Sequence, residues 1–167
     1  NFMEQIGTMS EDRNPSPAIL FLCLGNICRS PLAEGAARAA FARAGITATL
    51  DSAGTGDWHV GHPPDLRAQA EARRHGTDIS GLRARQLRRR DFYDFDLILA
   101  ADDSNLREAR RLRPADATAD LKLMLDLVAG REGEDVADPY YGEDGGFATT
   151  WGDVSAIASA LVASVRG

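Results

Sequence analysis

The sequence predicts a single α/β domain with a doubly wound, mainly four-stranded parallel sheet and helices on both of its faces. Short apolar runs, typical of strands buried on both faces, alternate along the chain with longer segments of helical periodicity. The chain has 167 residues, of which 44% are hydrophobic and 26% charged, a composition that suits one globular domain with a single core. No apolar run in the sequence approaches the length of a membrane span.

The predicted elements follow one another in strand–helix order. Strands are expected at residues 19–23, 47–52, 96–100 and 120–124. Helices are expected at residues 31–44, 65–75, 104–112 and 147–165. For the first helix, Ser30 is the predicted N-cap, Pro31 occupies the first position and Gly45 follows the last turn. The carboxyl ends of parallel strands meet at one edge of a sheet, so we expect ligand-binding residues there.

Residues 1–17 are predicted to be a flexible extension, and residues 18–167 the folded domain. The extension is polar, ends in Pro15-Ser16-Pro17 and lacks the basic start and apolar stretch of a signal peptide. Because the chain begins with Asn1 rather than methionine, we expect this segment to be a remnant of processing or expression.

A phosphate-binding loop is predicted between the first strand and the first helix. The segment reads Cys23-Leu24-Gly25-Asn26-Ile27-Cys28-Arg29-Ser30. Backbone N–H groups in such a turn converge on an anion, and the helix N-terminus adds its positive dipole. Gly25 and Asn26 tolerate the positive φ angles that we expect here. Arg29 offers a planar fork of donors, and the positive surroundings favour the nucleophilic thiolate form of Cys23.

Other kinds of site fit these residues less well. A purely structural cysteine is disfavoured because the motif has both its strand and its helix, and a nucleotide P-loop lacks its Gly-Lys-Ser/Thr. The histidines His59, His62 and His75 do not have zinc-ligand spacing with the cysteines, so we expect neither a metal nor another cofactor. A net charge of −6 argues against nucleic-acid binding. The chain has only two cysteines, which favours a reducing, cytoplasmic location.

From about residue 19 to residue 166 the chain resembles the low-molecular-weight protein tyrosine phosphatase family. Segments 51–55, 102–106 and 137–141 match this family in the expected order. The resemblance implies hydrolysis of phosphotyrosine through a phosphocysteine intermediate, with Cys23 as nucleophile, Arg29 as phosphate clamp and Asp138 as general acid. An acid is needed because the tyrosine leaving group has a pKa of about 10. Asp138 also precedes Pro139, which favours an extended backbone at the aspartate.

The resemblance assigns supporting roles to further residues. Ser30 would hydrogen-bond the thiolate, and residues 24–28 would bind the phosphate. Trp58 and Tyr140 would form the walls of a deep slot for an aromatic ring, with Tyr141 beside them. Ser52 and His75 would hold Asn26, with Glu34 nearby. The aromatic residues could equally be core or rim side chains, and His75 could simply interact with a helix C-terminus. Cys28 could resolve an oxidised Cys23 or merely pack beneath the loop.

Three other functions are compatible with the same loop. Arginine phosphatases are the nearest alternative, but they tend to carry threonine where this chain has Ile27. Arsenate reductases need cysteines downstream of Cys28, and a phosphotyrosine-binding module without activity would be expected to lack part of the catalytic set. The expected partners are phosphotyrosine proteins, such as a bacterial tyrosine kinase, with phosphate or other oxyanions as inhibitors. We expect a monomer that binds neither nucleic acid nor membranes.

A basic run lies between the second and third strands. It contains Arg83, Arg85, Arg88, Arg89 and Arg90. A solvated helix face is the favoured interpretation, and a docking patch for an acidic partner is the alternative.

Overall fold

The fold is built around one parallel sheet of four strands. The computed structural model describes residues 16–142 and 145–167, so residues 1–15 of the predicted extension lie outside the described residues. Strand order is β2-β1-β3-β4. The strands are β1 (Ala18–Cys23), β2 (Thr49–Gly54), β3 (Leu97–Ala100) and β4 (Asp120–Leu123). The register places Phe21 of β1 beside Ser52 of β2 and Leu99 of β3.

Helices connect the strands and cover both faces of the sheet. They are α1 (Arg29–Ala44), α2 (Leu66–Arg74), α3 (Asp91–Asp94), α4 (Asp103–Leu112) and α5 (Gly145–Arg166). A 3₁₀ turn, Met124–Leu127, follows β4. None of the helices in the described residues is both long enough and apolar enough to cross a bilayer.

Alternate residues of the central strands enter two separate apolar cores. Ile19 and Phe21 of β1 pack in a core with α1, α2 and α5. Leu20 and Leu22 point to the opposite face and pack with residues of α3 and α4. Because successive side chains of a strand alternate between faces, a strand buried on both sides must be apolar throughout. The prediction of a doubly wound sheet is therefore confirmed.

The start of α1 differs from the prediction. The helix begins at Arg29, with Cys28 in the N-cap position and without a side-chain cap. Ser30 therefore lies inside the first turn, where its hydroxyl contacts the Cys23 sulfur atom instead of a helix N–H group. The predicted end is confirmed, because Gly45 adopts a left-handed conformation with φ of 70° directly after the last turn.

The basic run is not a helix. Residues 83–90 form an irregular segment that makes a single parallel bridge, from Gln86 to Gly54 at the end of β2. The predicted solvated helix face is therefore wrong. A run of charged residues can be irregular instead of helical when a buried carboxylate binds one of its arginines. Here the buried Asp91 binds Arg85.

The topology places the functional loops at one edge of the sheet. β1, β2 and β3 run in the same direction, and they end at Cys23, Gly54 and Ala100. The order β2-β1-β3 means that the chain leaves β1 in one direction and later returns on its other side. A crevice forms beyond the carboxyl ends at such a switch point.

Candidate active site

The loop after β1 curls around the sulfur atom of Cys23. The Asn26 N–H donates to Cys23 Sγ over 3.3 Å, and the Ser30 hydroxyl lies 3.0 Å from the same sulfur. Cys23 itself is only 3% exposed. Both groups can donate hydrogen bonds to a sulfur atom that carries negative charge.

Asn26 carries the unusual backbone angle of the loop. Its φ is 58°, and among the described residues no other non-glycine residue has a positive φ. Gly25 does not have a positive φ, contrary to the expectation from the sequence. Its small size matters instead, because an added Cβ would lie 3.0 Å from Cδ2 of His59. Left-handed geometry is costly for a residue with a side chain, so Asn26 needs surrounding contacts to hold it.

A chain of side-chain hydrogen bonds supplies those contacts. Asn26 Nδ2 donates to Ser30 Oγ at 2.7 Å and to Ser52 Oγ at 3.0 Å. The Ser52 hydroxyl in turn donates to Glu34 Oε1 at 2.8 Å. Burial raises the pKa of the Glu34 carboxyl, although the hydrogen bonds from Ser52 and Arg38 oppose the shift. The structure thus brings together Asn26, Ser52 and Glu34 as the sequence predicted.

His75 does not belong to this chain of hydrogen bonds. Its Nε2 lies 2.8 Å from Glu71 Oε2, and its ring stacks on Trp151 at a centroid distance of 4.8 Å. The third hydrogen bond of the Asn26 amide comes instead from the backbone N–H of Arg85, which donates to Oδ1 at 3.0 Å. The predicted placement of His75 is corrected accordingly. Its position at the end of α2 turns its ring towards α5, away from the loop.

Arg29 is buried at the base of the site and is held by two fixed acceptors. Its Nη1 donates to Asp102 Oδ2 at 2.7 Å and to the Val136 carbonyl at 3.0 Å. Burial alone would lower the pKa of Arg29, but Cys23 and the Asp102 carboxylate outweigh it and raise the pKa. The guanidinium is therefore permanently charged and oriented before any ligand enters.

Sequence reasoning did not assign a role to Asp102. It is the N-cap of α4, where its Oδ1 accepts the Asn105 N–H at 2.8 Å, while Oδ2 binds Arg29. One carboxylate therefore caps a helix and also orients the buried arginine. The signal was present, because an acidic residue two positions after a buried strand lies at the carboxyl edge of the sheet.

Asp138 lies close to Arg29, in the loop before α5. Its Oδ2 is 3.7 Å from Arg29 Nη2, and its Oδ1 accepts the Tyr140 N–H at 3.0 Å. The side chain is 39% exposed and faces the cavity. Two anchors hold the loop: the Val136 N–H donates to the Ala101 carbonyl, and Arg67 donates to the Tyr140 carbonyl at 3.1 Å. Asp138 is therefore placed where it can exchange a proton with a bound group.

An open cavity of about 420 Å³ connects these groups. Cys23, Arg29 and Asp138 line its base, and the side chains of Trp58 and Tyr140 line its mouth. Trp58 packs its indole against Gly56, where there is no room for a Cβ. Tyr140 is half-buried and stacks on the exposed Tyr141 at a centroid distance of 4.9 Å. The cavity therefore has the positive charge of Arg29 at its base, where an anion can bind, and the aromatic side chains of Trp58 and Tyr140 at its entrance.

Four further residues of the loop line this cavity, whereas Asn26 and Ser30 do not. They are Leu24, Gly25, Ile27 and Cys28, and His59 is an additional lining residue that sequence reasoning missed. Cys28 is buried, and burial together with the negative charge of Asp65 raises the pKa of its thiol far above the ordinary value. The two cysteines therefore lie in opposite environments, with donors around Cys23 and none of comparable strength around Cys28. Among the described residues, no group of three or more His, Cys, Asp or Glu side chains is arranged to hold a metal ion.

Comparisons with known proteins agree with this geometry. The sequence model of the low molecular weight phosphotyrosine protein phosphatase family matches residues 18–167. The low molecular weight protein-tyrosine-phosphatase YfkJ of Bacillus subtilis is 43% identical over 126 residues, which cover 74% of this chain and 81% of that protein. The crystal structure of YfkJ superimposes with a TM-score of 0.85 over 93% of this chain and 98% of its own, at 38% identity.

A second solved structure, that of DARP, a drosophila arginine phosphatase, has a TM-score of 0.84 at 30% identity. It covers 89% of this chain and 98% of its own. The family match spans the whole described domain, and the YfkJ likeness extends to both sequence and fold. This chain belongs to the low molecular weight phosphotyrosine protein phosphatase family, a family of hydrolases that act on phosphotyrosine.

Proposed function

We propose that Cys23, Arg29 and Asp138 are the catalytic residues of this phosphatase and that it hydrolyses phosphotyrosine in proteins in two steps. The observation that carries the proposal is the convergence of the three side chains in one cavity. Asp138 Oδ2 lies 3.7 Å from Arg29 Nη2, and Cys23 lines the same base. This arrangement supports attack from one side of a phosphate and proton transfer from the other.

In the first step, Cys23 Sγ attacks phosphorus as the bond to the phenolic oxygen breaks. Asp138 gives its proton to that oxygen, and a phosphocysteine forms as tyrosine leaves. Arg29 and the N–H groups of residues 24–28 stabilise the charge on the three equatorial oxygens. The hydroxyl of Ser30 and the N–H of Asn26 hold the sulfur before attack.

In the second step, a water molecule attacks the phosphocysteine from the side that tyrosine has left. Asp138, now a carboxylate, takes a proton from this water. The sulfur then departs as a thiolate, which the Ser30 hydroxyl and the Asn26 N–H stabilise. Inorganic phosphate leaves the loop. The same carboxyl group therefore acts as acid and then as base.

The entrance of the cavity supports an aryl phosphate as the substrate. A phenyl ring between Trp58 and Tyr140 would gain stacking contacts of roughly 0.5–1.5 kcal/mol beyond burial of area. A phosphoserine side chain is shorter and presents no ring, so it would use neither wall. Ile27 in the lining offers no hydrogen-bond partner for a guanidinium group.

The likeness to DARP supports arginine phosphatase activity as the second candidate. That structure has a TM-score of 0.84 to this chain, and the phosphate site required for the two substrates is the same. The two activities differ in what the leaving group needs from the cavity: a flat apolar slot for tyrosine, and a polar partner for arginine. The apolar side chain of Ile27 in the lining therefore supports phosphotyrosine as the substrate.

The experiment compares kcat/KM for four peptides of one sequence that carry phosphotyrosine, phosphoserine, phosphothreonine or phosphoarginine. We expect phosphotyrosine to be turned over fastest by a wide margin, and Ile27→Thr to raise the relative rate on phosphoarginine. An equal or higher rate on phosphoarginine in the unchanged protein would overturn the substrate assignment.

The finer aspects of its biology are also proposals. We infer that its substrates are phosphotyrosine proteins such as a bacterial tyrosine kinase, that it works as a cytoplasmic monomer, and that phosphate and other oxyanions compete with substrate. The oxyanion proposal is supported by the donors around Cys23 and the fixed charge of Arg29. Capture of partners with Asp138→Ala, followed by mass spectrometry, tests the substrate class.

A further inference from the structure

The irregular basic segment contains one residue whose backbone reaches the phosphate loop. The Arg85 N–H donates to Asn26 Oδ1 at 3.0 Å, and the Arg85 carbonyl accepts the Gly54 N–H at 2.8 Å. Arg85 therefore joins the end of β2 to the one loop residue whose backbone is left-handed. This hydrogen bond uses the oxygen of the Asn26 amide, whereas Ser30 and Ser52 bind its nitrogen.

The guanidinium of Arg85 is clamped between two carboxylates. Its Nη1 and Nη2 donate to both oxygens of Asp91 at 3.0 and 3.1 Å, and its Nε and Nη2 donate to Asp51 Oδ2 at 3.2 and 3.0 Å. Asp91 is completely buried, whereas the Asp51 side chain is 44% exposed. A planar fork that satisfies two acids at once has little freedom to move.

The same buried carboxylate organises the neighbouring backbone. Asp91 Oδ2 accepts the Arg88 N–H at 2.8 Å, so the chain curves around this group from residue 85 to residue 88. Burial alone would lower the pKa of Arg85, but the bonds to Asp91 and Asp51 outweigh it and raise the pKa. The guanidinium of Arg85 therefore keeps its positive charge in the folded protein.

The other arginines of the run lack this arrangement. Arg90 is 70% exposed and pairs with Asp94, one turn along α3. Arg88 is 56% exposed, and its guanidinium is 3.8 Å from Asp91. Within the described residues only Arg85 combines two carboxylate partners with a backbone bond to the loop.

We propose that Arg85 is a positioning residue for the phosphate loop, acting through Asn26. Its ion pairs with Asp51 and Asp91 hold the N–H that fixes the Asn26 side chain. Through Asn26 they hold the loop amides in the geometry that binds an oxyanion. The inference rests on the proposed role of this loop as the phosphate site.

The test measures the binding of inorganic phosphate by isothermal titration calorimetry and kcat/KM on an aryl phosphate. Arg85→Lys keeps the positive charge but loses the fork, so it cannot bind both carboxylates in the same way. We expect phosphate affinity and kcat/KM to fall together by about 10-fold, since small misplacements of a binding group are costly. Arg90→Lys, in the same run, is the matched control and should change neither quantity.

Coupling to Asn26 distinguishes positioning from general loss of stability. In an Asn26→Ala background the amide that Arg85 holds is absent, so Arg85→Lys should cost less than about 2-fold in phosphate affinity. Asp51→Asn loosens the same fork from its exposed side and leaves the buried Asp91 pair in place. It should give a loss of the same sign, which Asn26→Ala again suppresses, even where Arg85→Lys folds poorly.

Two outcomes would overturn the inference. The first is phosphate affinity that stays unchanged in Arg85→Lys and in Asp51→Asn while their melting temperatures fall. The second is a loss of equal size with and without the Asn26 side chain. Wild-type protein that binds no phosphate at all would contradict the proposed function as well, so the two failures can be told apart.

Discussion

At the scale of single residues, the two cysteines show how the surroundings of a thiol determine its reactivity. The sulfur of Cys23 accepts the Asn26 N–H and shares a hydrogen bond with the Ser30 hydroxyl, whereas Cys28 is buried beside the negative charge of Asp65. The order of residue types in the loop predicts a phosphate-binding site because few other sites use that order. It did not predict which contacts hold Asn26, because Arg85 lies 59 residues away and bonds through its backbone.

The reactivity of the cysteines follows from their surroundings. Burial and Asp65 raise the pKa of Cys28, so its thiol stays protonated through neutral pH in the folded state, and it becomes thiolate near pH 8.5 only once the chain unfolds. We expect iodoacetate at neutral pH to alkylate Cys23 and to leave Cys28 unmodified until denaturant is added. Peptide mass spectrometry reads both sites, and equal labelling of the two in folded protein would contradict this expectation.

The proton donor can be tested through the leaving group. Asp138→Asn keeps the shape of the side chain but removes the acid, so hydrolysis of phenyl phosphate should slow by about 10²-fold or more. A substrate whose leaving group has a low pKa needs no proton and should be much less affected. Glu134→Gln, which changes an exposed acid in the same loop, is the control. Equal losses for both substrates would mean that Asp138 only shapes the loop.

At the scale of elements, backbone hydrogen bonds connect the segment at the end of β2 to the phosphate loop. The N–H groups of Thr55 and Gly56 donate to the carbonyls of Cys23 and Leu24, both at 2.9 Å. Gly54 leaves no space between this strand and the loop. The sequence predicted β2 two residues too early because its polar start, Thr47 to Thr49, resembles an alternating strand. Pairing with β1 sets the true register.

This close approach makes a sharp prediction for Gly54→Ala. An added Cβ would lie 2.7 Å from the Leu24 carbonyl and 3.2 Å from the Asn26 N atom, so the loop must move. We expect kcat/KM to fall by about 10²-fold, because displacement of reacting groups by an ångström is enough for such a loss. Gly152→Ala on α5, where a Cβ meets open space, is the control and should stabilise the fold by about 0.5–1 kcal/mol. Unchanged kinetics in Gly54→Ala would show that the loop does not depend on this contact.

At the scale of the whole molecule, the doubly wound sheet could be predicted from its apolar strands, since burial of a strand on both faces requires apolar side chains throughout. Contacts between distant helices could not. His75 illustrates the difference: at the end of a helix next to a glycine, it is equally compatible with supporting the loop and with packing on another helix. The structure places its ring on Trp151 of α5.

His75 should therefore matter for stability rather than for turnover. His75→Ala removes the stacked contact with Trp151, which connects the end of α2 with α5, and the hydrogen bond to the buried Glu71 within α2. We expect the free energy of unfolding to fall by about 1–2 kcal/mol. Urea denaturation measures this change, and kcat/KM below the transition should stay near the wild-type value. A large fall in kcat/KM without any loss of stability would contradict this expectation and would indicate that His75 supports Asn26.

The hydrogen bonds of Arg29 have a consequence for how the enzyme acquires its activity. Its two fixed acceptors, Asp102 and Val136, are 73 and 107 residues further along the chain. Contacts of such sequence separation form late in folding, after the chain between them has closed into loops. A partly synthesised chain that ends before Val136 lacks one of these acceptors and also Asp138. Phosphatase activity during refolding or translation should therefore appear last, after secondary structure, and its rate reports the final ordering of the molecule.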